Sequence, residues 1–289
     1  MHCSIVVLYN PNFNEISCFL NQLIKSKFFL ILVDNSEKNL IKDFDVYLKD
    51  NRVLYINLKK NKGLAFAQNI GIKEAISRNF KTLTLFDQDS FITSTNYRKY
   101  VQMFHDSRYN ITTPLVVSKY DNSKREESLK INFFGWPSPV KNNEKKTFDD
   151  ADIVIASGMT CSLKDFQEVG YFREDFFIDY VDTEWCFREK NKGKTIAVNN
   201  LINLSHSIGY GRENYIFFNP QIHPPERTFY QFRNNLALFK ESYVPKLYCL
   251  RELFVNFASL IIKILFKKKN KKKHMYYFCK AIKYFTKSK

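Results

Sequence analysis

Four short apolar runs, each stopping on polar side chains, punctuate the first 90 residues, and that rhythm leaves few folds open. Ser4 to Tyr9 ends on Asn10-Pro11-Asn12, Phe28 to Val33 on Asp34-Asn35-Ser36, Val53 to Leu58 on Lys59-Lys60, and Leu83 to Phe86 on Asp87-Gln88-Asp89-Ser90. Continuous apolar runs of this length suit strands buried on both faces, the condition of a parallel sheet covered by helices. Between the first two runs Ile16, Phe19, Leu20, Leu23 and Ile24 recur at helical spacing. Between the last two, Asn61-Lys62-Gly63 opens a small-residue helix through Ala75 and Ile76, which permits close approach to a strand or to a ligand. Strand, turn and helix alternate, so a parallel arrangement delivers all four polar ends to one edge, where open α/β sheets bind ligands.

The fourth run carries the most chemistry. Asp87 and Asp89, two apart at a strand end, can hold a divalent cation through hard oxygen ligands, and such a cation commonly neutralises a phosphate or diphosphate. The same tetrapeptide is also good turn and helix-cap chemistry, and spacing alone does not decide between the two. Further along, Tyr97 to Phe104 reads as a helix, Asp121 to Lys146 as a polar excursion over the surface, Ile153 to Thr160 as a strand meeting a turn, and Leu163 to Val169 as a short helix. A second acidic centre follows, in which Asp179, Asp182 and Glu184 alternate with Phe177, Tyr180 and Trp185. Helical spacing would set Asp179 and Asp182 one turn apart. A carboxylate against aromatic walls can act as a general base, although an amphipathic helix with a solvated acidic face has the same pattern.

Charge and cysteines exclude several classes. The formal net charge of +16 resembles a nucleic-acid signature, but residues 263–289 hold 11 lysines and no acid, so the body is only mildly basic. A nucleic-acid-binding protein would leave both acidic centres unexplained, and nucleic acid is not an expected partner. Six scattered cysteines without a Cys-x-x-Cys pair suggest neither zinc nor disulfides and fit a reducing cytoplasm. No basic leader and no run of about 18 apolar residues is visible, so neither secretion nor a membrane span is expected.

Six segments in fixed order closely resemble glycosyltransferase family 2, in particular its bacterial rhamnosyltransferase branch. They are Val7-Leu8-Tyr9-Asn10-Pro11, Val33-Asp34-Asn35-Ser36, Asn61-Lys62-Gly63 with Ala67-Gln68-Asn69, Phe86-Asp87-Gln88-Asp89-Ser90, Ser157-Gly158-Met159, and Phe177 through Trp185. The resemblance covers roughly residues 4–235. It implies an α/β GT-A fold, with a Rossmann-like, mostly parallel central sheet flanked by helices, to which the residues beyond 235 add a C-terminal helical extension. It also implies a nucleotide-diphosphate sugar donor, dTDP-rhamnose or a UDP-sugar, a saccharide acceptor, Mg²⁺ or Mn²⁺, and inversion by direct displacement. Carried over by position, Tyr9 and Asn10 would lie near base and ribose, Asp34 would recognise the pyrimidine, and Asn61, Gly63 and Gln68 would line the nucleotide side. Asp87 would face the ribose or sugar, Asp89 would coordinate the metal, and His206 would add a ligand. Asp182 would be the base, with Glu184 and Asp179 in reserve because relatives carry Glu-Asp where this chain has Val181-Asp182. Ser157-Gly158 would shape the acceptor entrance, and Tyr230 with Arg233-Asn234 would approach diphosphate or acceptor.

The expected division is a catalytic domain over 1–235 and a helical, amphipathic, polybasic segment over 236–289. Leu253 to Phe266 is too short and interrupted to span a bilayer, but it reads as an interfacial helix followed by six lysines between Lys267 and Lys273. Near an anionic leaflet each lysine is worth about 1 kcal/mol. The segment therefore predicts peripheral association with the inner face of the cytoplasmic membrane, which suits a lipid-linked acceptor. A helix packed on the body with a solvated basic tail is the alternative.

Overall fold

Strand β1 (His2–Leu8) is buried throughout and is the axis of the sheet. The computed structural model describes all residues except 119–120, 126–127, 142, 144, 207–223, 267–269 and 288–289, and it leaves aside the side chains of 121–125 and 266. After β1 come α1 (Phe13–Lys25), β2 (Phe29–Asp34), the one-turn α2 (Asp45–Leu48), β3 (Val53–Asn57), α3 (Leu64–Ser77), β4 (Thr82–Asp87) and α4 (Ser94–His105). The middle of the chain adds β5 (Ile111–Ser118), β6 (Asp121–Arg125), the hairpin β7 (Leu129–Ile131) and β8 (Pro137–Pro139), then β9 (Phe148–Ala151), β10 (Thr160–Ser162), α5 (Leu163–Val169), α6 (Val181–Asn191) and β11 (Ile196–His206). Three helices close the chain: α7 (Glu226–Lys240), α8 (Lys246–Phe266) and α9 (Lys271–Lys287).

The sheet order is β3-β2-β1-β4-β10-β5-β11-β9, with β6 paired to β5. The strands β1 to β4, β5 and β11 run one way, and β10 and β9 are inserted antiparallel. Because the chain first builds outward to β3 and then returns to place β4 on the other side of β1, the strand order reverses between β1 and β4. A crevice opens at such a reversal, outside the carboxyl ends of the strands.

Alternation along the strands divides the core. Val6, Leu8, Leu30 and Leu32 pack under α1 and α4, while Ile5, Val7, Ile31 and Val33 pack under α3 and, farther along, the Trp185 face of α6. The small residues of α3 serve strand contact: a Cβ on Gly71 would stand 2.6 Å from Ile5 Cγ2. Aromatic pairs lock the flanks, with Trp185 stacked on Phe166 at 4.4 Å between centroids.

Three expectations need correction. Residues 153–159 do not form a strand; Ile153 makes one isolated bridge, and the chain turns at Gly158 (φ +82°) before the short β10. The amide of Gly158 donates to the Leu85 carbonyl and that of Leu85 to the Met159 carbonyl, so this loop feeds the antiparallel insertion. Asp179 is not one helical turn before Asp182: Asp179 and Tyr180 have φ of +67° and +61°, and α6 begins at Val181. The excursion over 121–146 carries β6 and the β7–β8 hairpin. At the other end, α8 is longer than the interfacial stretch, and its companions α7 and α9 meet it around Phe232, Leu260 and Ala281. No described helix is long and apolar enough to cross a membrane. Of the six lysines between 267 and 273, those at 267–269 lie outside the described residues.

Candidate active site

Register explains the gathering of the acidic residues. Val7 of β1 is opposite Asp87 of β4, and Leu8 is opposite Asp34 of β2, so the strand ends converge at one edge. His206 ends β11, parallel to β5 and three positions from β4 in the sheet. It is brought back by an antiparallel bridge, in which the Phe91 amide donates to the Ser205 carbonyl (2.7 Å) and the Ser205 amide to the Phe91 carbonyl (2.9 Å). As a result His206 Nε2 lies 3.3 Å from Asp87 Oδ2 and 3.2 Å from Asp89 Oδ1. One ligand atom from each of the three falls within 4.8 Å of the others, a compact set of hard oxygen and imidazole donors that fits a divalent cation.

These groups sit in a cleft of about 530 Å³, within the usual range for a small-molecule site. Tyr9, Asn61 and Gln68, expected at the nucleotide, line it together with Asp179 and Asp182. The Tyr9 ring is exposed, while its backbone is clamped by Gln88, which accepts from the Tyr9 amide (2.8 Å) and donates to the Tyr9 carbonyl (3.1 Å). Asn61 Oδ1 accepts from Asn35 and from the Gly63 amide, while Asn35 Oδ1 accepts from the Lys62 amide. That asparagine pair shapes the turn into α3. Gln68 presents a buried Oε1 with no protein partner among the described residues.

Asp182 stands at the start of α6 with Oδ1 accepting from the Thr183 amide (2.8 Å) and Oδ2 from the Ala156 amide (3.1 Å). Burial pushes its carboxyl up to about 6, with the like charge of Asp87 adding to the shift and the two amides opposing it. A carboxylate so placed is ionised at neutral pH yet basic enough to accept a proton.

Other expected residues are elsewhere. Asp34 is fully buried, its carboxylate accepting from the Ser36 amide (2.9 Å) and the Tyr55 hydroxyl (2.5 Å), so here it holds the β2 turn and does not face the cleft. Asn10, at φ +45°, is exposed at the β1 exit and donates its amide to Ser36 Oγ. Glu184 is fully buried and engaged by Arg188 at 2.7 Å and by the Tyr243 hydroxyl at 2.6 Å, on the side of α6 away from the cleft. Ser157 and Gly158 are packed behind the cleft, the first against Ser90 and the second against Pro114.

The loop 177–180 is the strained part of the site. Phe177, Asp179 and Tyr180 all have positive φ, a conformation costing a non-glycine residue on the order of 1–3 kcal/mol. It is over-determined by its surroundings. The Asn234 side-chain Nδ2 donates to the carbonyls of Phe176, Ile178 and Asp179, the Arg233 guanidinium donates to that of Phe176, and Tyr230 stacks on Phe177 at 4.9 Å. Tyr230, Arg233 and Asn234 thus brace this loop, where the sequence suggested direct approach to a ligand. Arg227, which sequence reasoning did not find, enters the cleft from the first turn of α7 and forms a two-pronged ion pair with Asp179. No local pattern announces it.

Gly63 joins the two halves. It has φ +92°, and a Cβ there would come within 2.7 Å of Phe177 Cδ2 and 2.9 Å of Phe177 Cα. We expect Gly63→Ala to cost on the order of 2–4 kcal/mol in urea unfolding and to raise the donor KM by displacing the loop. Unaltered stability and KM would show that the loop tolerates the intrusion.

The sheet with its antiparallel insertion and the cleft at its strand reversal have the architecture of a GT-A glycosyltransferase. A profile of glycosyl transferase family 2 matches residues 4–170, and the chain belongs to that family. It is 30% identical over 273 residues to the dTDP-rhamnosyl transferase RfbF of Shigella flexneri, covering 94% of this chain and 90% of that one. It is 23% identical over 184 residues to the low-salt glycan biosynthesis hexosyltransferase Agl10 of Haloferax volcanii, covering 61% and 58%. Among solved structures, S. aureus TarS 1-349 in complex with UDP-GlcNAc superposes with a TM-score of 0.61 at 14% identity, over 98% of this chain and 80% of that one. GalNAc-T7 with UDP, GalNAc and Mn²⁺ does so at 0.60 and 14% identity, over 93% of this chain and 58% of that one.

Proposed function

We propose that this chain transfers rhamnose from dTDP-rhamnose to a saccharide acceptor, with inversion, in the synthesis of a bacterial surface polysaccharide. The observation that carries the reaction type is the pairing in one cleft of the Asp87, Asp89 and His206 cluster with Asp182, a partly buried carboxylate with a raised pKa. Asp182 takes the acceptor hydroxyl proton as that oxygen bonds to the anomeric carbon and the bond from that carbon to the diphosphate oxygen breaks. The nucleotide diphosphate leaves with the electron pair. Asp89, Asp87 and His206 would hold Mg²⁺ or Mn²⁺, whose charge offsets that of the departing diphosphate. Arg227, fixed by Asp179, adds a guanidinium to the same cleft. Asn61, Gln68 and Tyr9 orient the nucleotide. The unmet Gln68 Oε1 is an acceptor for a donor group of the ligand.

Rhamnose is favoured by the described activity of the Shigella relative, which aligns over nearly the whole chain. A UDP-hexose donor is the second reading, favoured by the hexosyltransferase relative and by a structural neighbour's UDP-GlcNAc complex. Residues 1–235 are the proposed catalytic part. Residues 236–289 are the proposed means of peripheral association with the inner membrane face, where a lipid-linked acceptor would reside. A donor panel tests the reading: pure protein with Mn²⁺ and either dTDP-rhamnose or UDP-sugars, followed by measurement of released nucleotide diphosphate. We expect dTDP release above UDP release; the reverse selects the UDP-hexose reading.

A further inference from the structure

We infer that the tip of the β7–β8 hairpin and the outer face of α8 form one surface that inserts into an anionic phospholipid bilayer and sets the cleft beside it. This rests on the membrane association proposed above and adds to it a defined insertion surface. The hairpin presents Phe133, Phe134 and Trp136, with Phe133 98% and Trp136 52% exposed. Exposed aromatics at a hairpin tip contribute nothing to a core, and rings of this kind favour the membrane interface. The tip is held against the start of α8: Gly135, at φ +82°, packs so closely that a Cβ there would meet Pro245 Cβ at 2.6 Å. From that point Leu247, Leu250, Phe254, Ile261 and Leu265 run along α8, all exposed. At 3.6 residues per turn they fall within an arc of about 60°, a single stripe on the helix.

Charge identifies the occupant. Lys271 donates to the Leu265 carbonyl at the end of the stripe, and Lys271, Lys272 and Lys273 are exposed. Residues 263–289 contain 11 lysines and no acid. An apolar stripe ending in such a block is complementary to an anionic leaflet, which repels neither part. The inner face of α8 gives the functional link. Glu252 and Asn256 meet the Tyr180 hydroxyl at 3.2 and 2.9 Å, and Tyr180 lines the cleft. A helix with its side chains is about 10–12 Å across, so a bilayer on the outer stripe lies about one helix diameter from the cleft lip.

The two tryptophans make the test specific, since Trp185 is fully buried and only Trp136 can report a change of medium. Full-length protein is mixed with phosphatidylglycerol/phosphatidylcholine vesicles or with phosphatidylcholine alone, and emission, acrylamide quenching and co-sedimentation are recorded. With phosphatidylglycerol, we expect a blue shift and reduced quenching that Trp136→Phe abolishes while still sedimenting. Phe133→Ser/Phe134→Ser should weaken vesicle binding roughly tenfold or more and leave donor hydrolysis unchanged. Sedimentation of the unaltered protein with no change in Trp136 emission overturns the insertion surface and leaves tail-mediated association standing. Failure to sediment overturns both. A dimer whose Trp136 is already shielded without lipid assigns the face to a second copy and overturns the inference.

Discussion

Asp89→Asn should lower sugar transfer by about a thousandfold or more, and excess EDTA should silence the unaltered protein to the same degree. An amide oxygen still offers a lone pair but no net charge, and the loss of several kcal/mol of charge stabilisation on a leaving diphosphate corresponds to that factor. The geometry makes the substitution conservative in every other respect. Asp89 is partly exposed at the lip of β4, and its neighbours in the cluster arrive on β4 and β11 independently of it. Folding should therefore be unaffected. Binding of Mn²⁺, measured directly by electron paramagnetic resonance, should weaken in parallel with the rate, as should that of His206→Ala. Full activity of the unaltered protein in excess chelator would remove the cation from the reaction and leave Arg227 as the cleft's candidate counter-charge.

The part of this architecture visible in the sequence is the part encoded locally. Apolar runs at Ser4, Phe28, Val53 and Leu83 became β1 to β4, and the helical spacing of Ile16 to Ile24 became α1, because each pattern is set by burial of neighbouring residues. The resemblance supplied His206, which no periodicity marks. It reaches Asp89 through the Phe91–Ser205 bridge, a pairing of residues more than 100 positions apart. Long-range closure of this kind also hid the antiparallel β10. The strand β11 was obscured for a different reason: Asn199 and Asn200 interrupt its apolar alternation, and Asn199 Oδ1 accepts from the Leu201 and Ile202 amides where the register shifts. Nothing in Phe177, Asp179 or Tyr180 signals positive φ, since the conformation is imposed by Asn234 and Tyr230 from α7. Arg227 was missed because its role depends on where Asp179 ends up.

Asp182→Asn should keep donor binding and lose turnover by about 10²–10⁴-fold, because the residue is assigned to the acceptor's proton and not to the nucleotide. The pH profile provides a sharper signature than the loss itself. Only ionised Asp182 can accept a proton, and burial raises its carboxyl to about 6, so the rate should climb roughly tenfold per unit below that value and level off above it. A cation at Asp87 neutralises the neighbouring like charge that contributes to the shift, which moves the midpoint of the loaded enzyme downward from about 6. The two neighbouring acids should behave differently. Glu184→Gln removes the charge of a fully buried carboxylate paired with the half-buried Arg188 and should act through stability, by about 3 kcal/mol, leaving the midpoint of any residual activity in place. Asp179→Asn removes the carboxylate that pairs with Arg227 and should raise the donor KM more than it lowers kcat. If Asp182→Asn keeps its rate while Asp179→Asn is dead at every pH, the proton acceptor is Asp179 and Arg227 must leave it during the reaction.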